Sequence, residues 1–252
     1  MTTQPDATKL NLKDWRSYVA SLDVEPLFVT ISGAHIYGFP SPDSDVDLRG
    51  CHQLPLEKIV GLSKPVETID RSGVHVGIEV DLVSHDIGKY FGLLVKNNGY
   101  ILEQVFSPLV VTGQGFLDEL RPLAKNCITR NHYHHYRGFF ASQLKLIEKQ
   151  SPVTAKAVLY AYRVLCTGIH LMETGRVETD LRVLAKTMNL DFIANLISAK
   201  VAEKVAFQFD VPHHIGQLKA LEQQLEAAFQ SSTLPEKPER DAVNDFLIEL
   251  RL

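Results

Sequence analysis

The chain has 252 residues, 45% of them hydrophobic and 22% charged, with a formal net charge of −4. That balance suits a soluble globular protein, and no apolar run approaches the roughly 20 residues of a membrane-spanning helix. The polar start, MTTQPDATKLNLKDW, has no signal-peptide core, and three scattered cysteines (Cys51, Cys127, Cys166) argue for free thiols in a reducing cytoplasm.

Residues 9–22 are expected to form a helix. Leu27–Ser32, LFVTIS, is β-branched and apolar and reads as a buried strand. A Gly33-Ala34 turn and a loop rich in Pro and Ser follow. Asp45–Gln53 alternates and predicts a second strand. Pro65–Asp70 and Val74–Ser84 predict a hairpin turning around Arg71–Gly73. Asp86 is placed to cap a helix whose apolar face runs through Ile87, Tyr90, Phe91, Leu93, Leu94 and Val95. GYILEQVFS predicts a short helix and PLVVTG a short strand or extended link.

From about Leu117 the pattern turns helical. Periodicity over 117–149 breaks near Asn131, and the next helix has Pro152 at its start and Gly175 at its end. Further helices fit 180–188, 190–206, 214–230 and 238–250, with Ser231–Glu239 as a linker. The organisation read from this is a mixed α/β domain over residues 1–116 and an all-helical domain over 117–252.

The net charge conceals an asymmetry. Residues 1–120 carry nine Lys/Arg against sixteen Asp/Glu, whereas residues 121–170 carry eight against one, Glu148. An acidic segment before a basic one suits a metal site facing a phosphate-binding surface. Solvated helix faces would account for the basic residues equally well.

The acidic half contains the most informative pair. Asp45 and Asp47 stand at i and i+2 of one strand, so both side chains point to the same face. Two carboxylates that close repel each other unless a cation lies between them. A magnesium ion, which prefers oxygen ligands, would supply that charge. Glu79 and Asp81 also share a face, between apolar neighbours on a later strand, and either could be a third acid. Gly33 has no side chain to keep a polyanion away, and the N–H groups of its turn can bind phosphate.

These residues resemble the DNA polymerase β-type nucleotidyltransferase superfamily. Its pattern of apolar strand, Gly-Ser or Gly-Gly, about ten residues, Asp-x-Asp, then a later acid falls here on Gly33-Ala34, Asp45-Val46-Asp47, and Asp81 or Glu79. A bacterial branch of predicted nucleotidyltransferases, some associated with RNA ligases, is more similar still. Its features match Tyr37-Gly38, Ser44, Arg49-Gly50, Lys96-Asn97, Glu103, Ser107-Pro108, and Lys156, Tyr160 and Arg163. The superfamily's serine after the glycine is Ala34 here, which removes a hydroxyl that usually supports the triphosphate.

The resemblance implies an α+β fold: a small mixed or antiparallel sheet with helices, followed by an all-helical domain. It further implies a magnesium-dependent or manganese-dependent transferase. Such an enzyme moves a nucleoside monophosphate from ATP or another nucleoside triphosphate to an acceptor hydroxyl and releases pyrophosphate. Asp45, Asp47 and Asp81, with Glu79 the alternative, would hold the metal. Gly33, Ala34, His35, Ser44, Arg49, Lys156, Tyr160 and Arg163 would bind the nucleotide, between the α/β domain and the basic helices. An RNA end, a protein hydroxyl or a small molecule would each serve as acceptor, and no membrane is involved. Ala34 and the basic segment also suit a catalytically weak or inactive nucleotide- or RNA-binding protein. A third reading is an antitoxin-like interaction protein that modifies a partner.

Two motifs stand apart from the acidic pair. Lys156, Tyr160 and Arg163 follow i, i+4, i+7 spacing, one helical stripe of cations and a ring. His132, His134 and His135 lie between Arg130 and Arg137, a pattern open to zinc, to phosphate or RNA, or to a solvated helix face.

Overall fold

The computed structural model describes residues 10–23, 25–202 and 210–252. Residue 9 of the expected first helix and residues 203–206 of the helix expected over 190–206 lie outside them. The elements begin with α1 (Leu12–Ala20) and β1 (Pro26–Ile31), followed by a single 3-10 turn at Gly33–His35. Then come β2 (Val46–His52), the one-turn α2 (Leu56–Ile59), β3 (Thr68–His75) and β4 (Ile78–Asp86). Helices α3 (Ile87–Leu94) and α4 (Gly99–Val105), β5 (Val110–Thr112) and α5 (Gln114–Asn126) follow. The rest is helical: α6 (His132–Lys149), α7 (Ala155–Thr174), α8 (Leu181–Thr187), α9 (Ile193–Ala202), α10 (Val211–Ser231) and α11 (Arg240–Arg251).

The chain forms two compact units: residues 1–36, 42–127 and 238–252 in the first, and residues 37–41 and 128–237 in the second. The expected boundary after residue 116 falls inside the first unit, which keeps α5 and takes back the final helix.

The first unit is built on a five-stranded sheet in the order β3-β4-β2-β1-β5. The β2–β4 pair is parallel and the other pairs are antiparallel, so the sheet is mixed and the fold α+β. Strand periodicity sets its two faces. On one face Val29, Ile31, Val46, Leu48, Val80, Leu82 and Val111 are buried against Trp15 and Val19 of α1. Full burial of each such side chain is worth about 1.5–3 kcal/mol. On the opposite face Phe28 is fully buried, edge-on to Tyr90 of α3 and stacked on Phe116 of α5. The helices thus cover one end of that face.

The hairpin differs from the expected one. Its turn is Val76-Gly77, both at positive φ (47° and 80°), which is the two-residue pattern with matching twist. Gly73, expected in the turn, instead lies within β3, paired with Val80. A β-branched residue is among the poorest choices for a left-handed position, so Val76 carries no turn signal.

In the second unit α7 is the central helix, with fifteen of its twenty residues buried. Thr154 caps its start by accepting from Ala157 N–H at 3.3 Å, and Gly175 ends it at φ 65°. Helices α6, α8, α9 and α10 surround it. Residues 37–41 belong here: Tyr37 and Phe39 pack on Tyr160, with ring centroids 5.8 and 5.5 Å apart, and Leu181 N–H donates to Tyr37 O at 3.0 Å.

Candidate active site

The site grows from the face of the sheet opposite Leu48 and Leu82. Val46 and Leu48 are buried on the core side, so the residues between and beyond them, Asp47 and Arg49, project from the other. The parallel register then sets Asp47 directly beside Asp81 of β4. Asp45, one residue before β2, is exposed.

Arg49 ties the two strands together. Its Nη2 donates to Asp47 Oδ1 at 2.7 Å and to Asp81 Oδ2 at 3.0 Å, so those oxygens are at most about 6 Å apart. Its Nη1 donates to two backbone carbonyls, Leu48 O at 2.9 Å and Asp81 O at 2.8 Å. The remaining Asp81 oxygen accepts from Ser72 Oγ of β3 at 3.3 Å.

The glycine turn is moulded around the same carboxylate. Ser32 N–H donates to Asp47 O at 2.8 Å, which brings the end of β1 alongside. Gly33 sits at φ 63°, and a Cβ there would lie 1.9 Å from Asp47 Oδ2. Both the dihedral and the close approach require glycine. Burial raises the Asp47 pKa above the usual carboxylate value. Arg49 opposes that rise, while the charges of Asp45 and Asp81 add to it.

A divalent cation fits this donor set in chemistry. Asp45, Asp47 and Asp81 offer only oxygens, which suit magnesium or manganese. The Asp47 pKa is raised chiefly by burial, with smaller upward contributions from the charges of Asp45 and Asp81. The cage is not preassembled, however: among the described residues no three His, Cys, Asp or Glu side chains already converge on one point. Arg49 instead bridges one oxygen of each of the Asp47 and Asp81 carboxylates.

The other expected site residues are distributed as follows. Ala34 and His35 are buried in the 3-10 turn, and Ser44 is half-buried ahead of β2. Glu79 is exposed and paired with Val74 near the hairpin turn, while Asp81, two residues on, meets Asp47. Lys156, Tyr160 and Arg163 belong to the second unit, and their stripe runs inward: Lys156 is exposed, Tyr160 half-buried and Arg163 fully buried. The Arg163 guanidinium lies 4.0 Å from the Tyr37 ring centroid and 5.4 Å from that of Phe139.

The histidine cluster is split between surface and interior, with His134 exposed and His135 half-buried. His132 is fully buried, with Nδ1 3.1 Å from Thr129 O, and burial pushes its pKa down to about 4. His135 is pushed down to about 4 as well, by burial and then by the charges of His132 and Arg163.

Sequence reasoning missed Ser72. Its signal was a hydroxyl on the strand beside the acidic one, but a hairpin set at the wrong turn gives the wrong cross-strand partners.

Comparison with known proteins bears on this arrangement. The model of a family described as RNA repair pathway DNA polymerase beta family matches residues 10–249. An uncharacterised protein of Methanocaldococcus jannaschii is 30% identical over 226 residues, covering 86% of this chain and 90% of that protein. The crystal structure of a nucleotidyltransferase-like protein from Exiguobacterium sibiricum covers 87% of this chain and 73% of its own, at 14% identity. Its TM-score of 0.31 is too low to bear on the fold. No described helix is long and apolar enough to cross a membrane.

Proposed function

The chain belongs to the RNA repair pathway DNA polymerase beta family and is a nucleotidyltransferase; from that premise we propose that it moves a nucleoside monophosphate from a nucleoside triphosphate to an acceptor hydroxyl, with magnesium or manganese bound. The observation that carries this reading is the side-by-side placement of Asp47 and Asp81 on parallel strands, with Asp45 exposed just ahead.

Asp45, Asp47 and Asp81 would hold the divalent ions. When bound, such ions neutralise phosphate charge and increase the acidity of a nearby hydroxyl. Gly33, Ala34 and His35 would offer backbone N–H groups to the triphosphate, and the missing Cβ of Gly33 leaves room for the Asp47 carboxylate beside that turn. Ser44 lies beside them in the chain and offers a hydroxyl to the same phosphates. The acceptor oxygen forms a bond to the α-phosphorus while the bond from that phosphorus to the pyrophosphate oxygen breaks. The acceptor's proton goes to Asp81, and pyrophosphate leaves. Most of the rate comes from positioning and from charge already in place. The family description favours an RNA end as acceptor over a protein hydroxyl or a small molecule.

The test is incubation with each α-labelled nucleoside triphosphate, Mg²⁺ or Mn²⁺, and cellular RNA. Label should enter RNA with the wild type and fall by at least about a hundredfold in Asp47→Asn, the scale of losing one preorganised charge. Equal incorporation by a folded Asp47→Asn protein removes this reading. Ala34, in place of a hydroxyl-bearing residue, favours the second reading, a nucleotide- or RNA-binding protein with weak or no turnover. Calorimetric binding that persists in EDTA, with no pyrophosphate ever released, would select it.

A further inference from the structure

Arg49 satisfies four acceptors with two nitrogens, and the two nitrogens do different work. Nη1 holds backbone carbonyls of β2 and β4, at 2.9 and 2.8 Å. Nη2 holds the two carboxylates, at 2.7 and 3.0 Å. The guanidinium is therefore fixed to the sheet by one nitrogen whatever happens at the other. Its carboxylate partners are the pair that the proposed reaction assigns to metal, and this inference rests on that assignment.

We propose that Arg49 is a built-in counter-ion that a divalent cation must displace from the Asp47–Asp81 pair, so that it weakens metal binding while keeping the pair in register without metal. Three observations support this. A cation already bridges the pair at hydrogen-bond distance. Among the described residues no three such side chains are placed to hold a metal, and Asp47 Oδ1 and Asp81 Oδ2 are both taken by Nη2. Asp81 is also held from β3 by Ser72, so it stays placed when Nη2 lets go. Arg49 is thus a positioning residue: it acts through the carboxylates.

The test needs no turnover. Mn²⁺ binding to the full-length protein is titrated by electron paramagnetic resonance without nucleotide, for the wild type, Arg49→Gln, Arg49→Lys, Asp81→Asn and the Arg49→Gln/Asp81→Asn pair. Arg49→Gln should bind Mn²⁺ on the order of tenfold tighter, the lower end of the effect one adjacent positive charge has on a cation binding a carboxylate. In the Asp81→Asn background the same change should give a much smaller gain, because half of the competition is already gone. Arg49→Lys keeps the charge and loses the fork, so it should show a smaller gain, and it decides the matter if the glutamine variant does not fold. Unchanged or weaker Mn²⁺ binding in the folded variants, or an undiminished gain with Asp81→Asn, overturns the proposal. Those outcomes leave the metal assignment standing as long as Asp47→Asn reduces Mn²⁺ binding. If Asp47→Asn binds Mn²⁺ as the wild type does, the assignment itself fails.

Discussion

Strand β4 carries two aspartate–arginine pairings, and the two behave in opposite ways. Inside the strand Asp81 and its neighbour Asp47 share Arg49. At its last residue, Asp86 meets Arg251 of the last helix at 2.6 Å. At Asp86 burial pushes the pKa up, but donors at Leu54 N–H, Arg251 and Gly88 N–H outweigh that, so it is lowered. The Asp47 pKa is raised, because one guanidinium is divided among several carboxylates and cannot offset burial. Burial alone does not decide the cost of a charge; the number of donors per carboxylate does. The pair with several donors to one carboxylate offsets burial, whereas the pair that shares one guanidinium does not.

Breaking the Asp86–Arg251 pair should have the largest effect on stability. Arg251 also donates to Leu54 O at 3.2 Å, Gln53 Nε2 donates to Leu250 O at 2.8 Å, and Phe246 stacks on Phe91 and Phe116. Arg251→Ala leaves Asp86 buried without its cation, a change that costs about 3–5 kcal/mol in such settings. Denaturant unfolding should show that loss while Mn²⁺ binding by the remaining folded protein is unchanged. A loss under about 1 kcal/mol, the range of surface pairs, would place Asp86 and Arg251 in the same class as an exposed pair and end the contrast.

Protonation sharpens the comparison because the two signs differ. Asp86 has a folded pKa below its ordinary 3.8, so it contributes stability that is present above that value and is lost as pH falls through the folded pKa. Asp47 has a folded pKa above 3.8, so its ionisation opposes folding, and stability is lost as pH rises through the raised value. At pH 7, Asp86→Asn should therefore be less stable than the wild type. Asp47→Asn should be at least as stable, with its advantage shrinking as pH falls toward about 4. Unfolding curves across that range check both directions. A loss of stability at neutral pH in Asp47→Asn would show that Arg49 already saturates the functional pair.

The features legible in the sequence were local. Two carboxylates at i and i+2, a glycine before them and a third acid on an apolar strand needed only strand periodicity and elementary charge repulsion. The cap Asp86 and the stop at Gly175 likewise involve neighbours within four residues. The features not legible join distant parts of the chain. Arg49 reaches Asp81 only because β2 and β4 run parallel, and Arg251 reaches Asp86 across 165 residues. Arg163 stands by spacing on one stripe with Lys156 and Tyr160, whereas it is fully buried against the rings of Tyr37 and Phe139 in the second unit. Val76 shows the limit of local reading itself, since a strained position carries the residue least expected there.

The smallest predicted effect concerns the turn facing Asp47. Ala34 is nearly buried in the 3-10 turn directly after the glycine that accommodates that carboxylate. Ala34→Ser adds one hydroxyl. If the triphosphate lies against this turn, the new hydrogen bond to a charged oxygen is worth about 1.5–3 kcal/mol. The nucleotide concentration for half-maximal incorporation should then fall by roughly tenfold or more, with Mn²⁺ affinity in the absence of nucleotide unchanged. The two readouts separate the phosphate turn from the acidic pair, although Gly33 and Asp47 touch. A change in Mn²⁺ affinity alone would mean that the turn acts on the metal side through Asp47. No change in either would move the triphosphate away from Gly33–His35 and leave the acidic strands as the whole of the site.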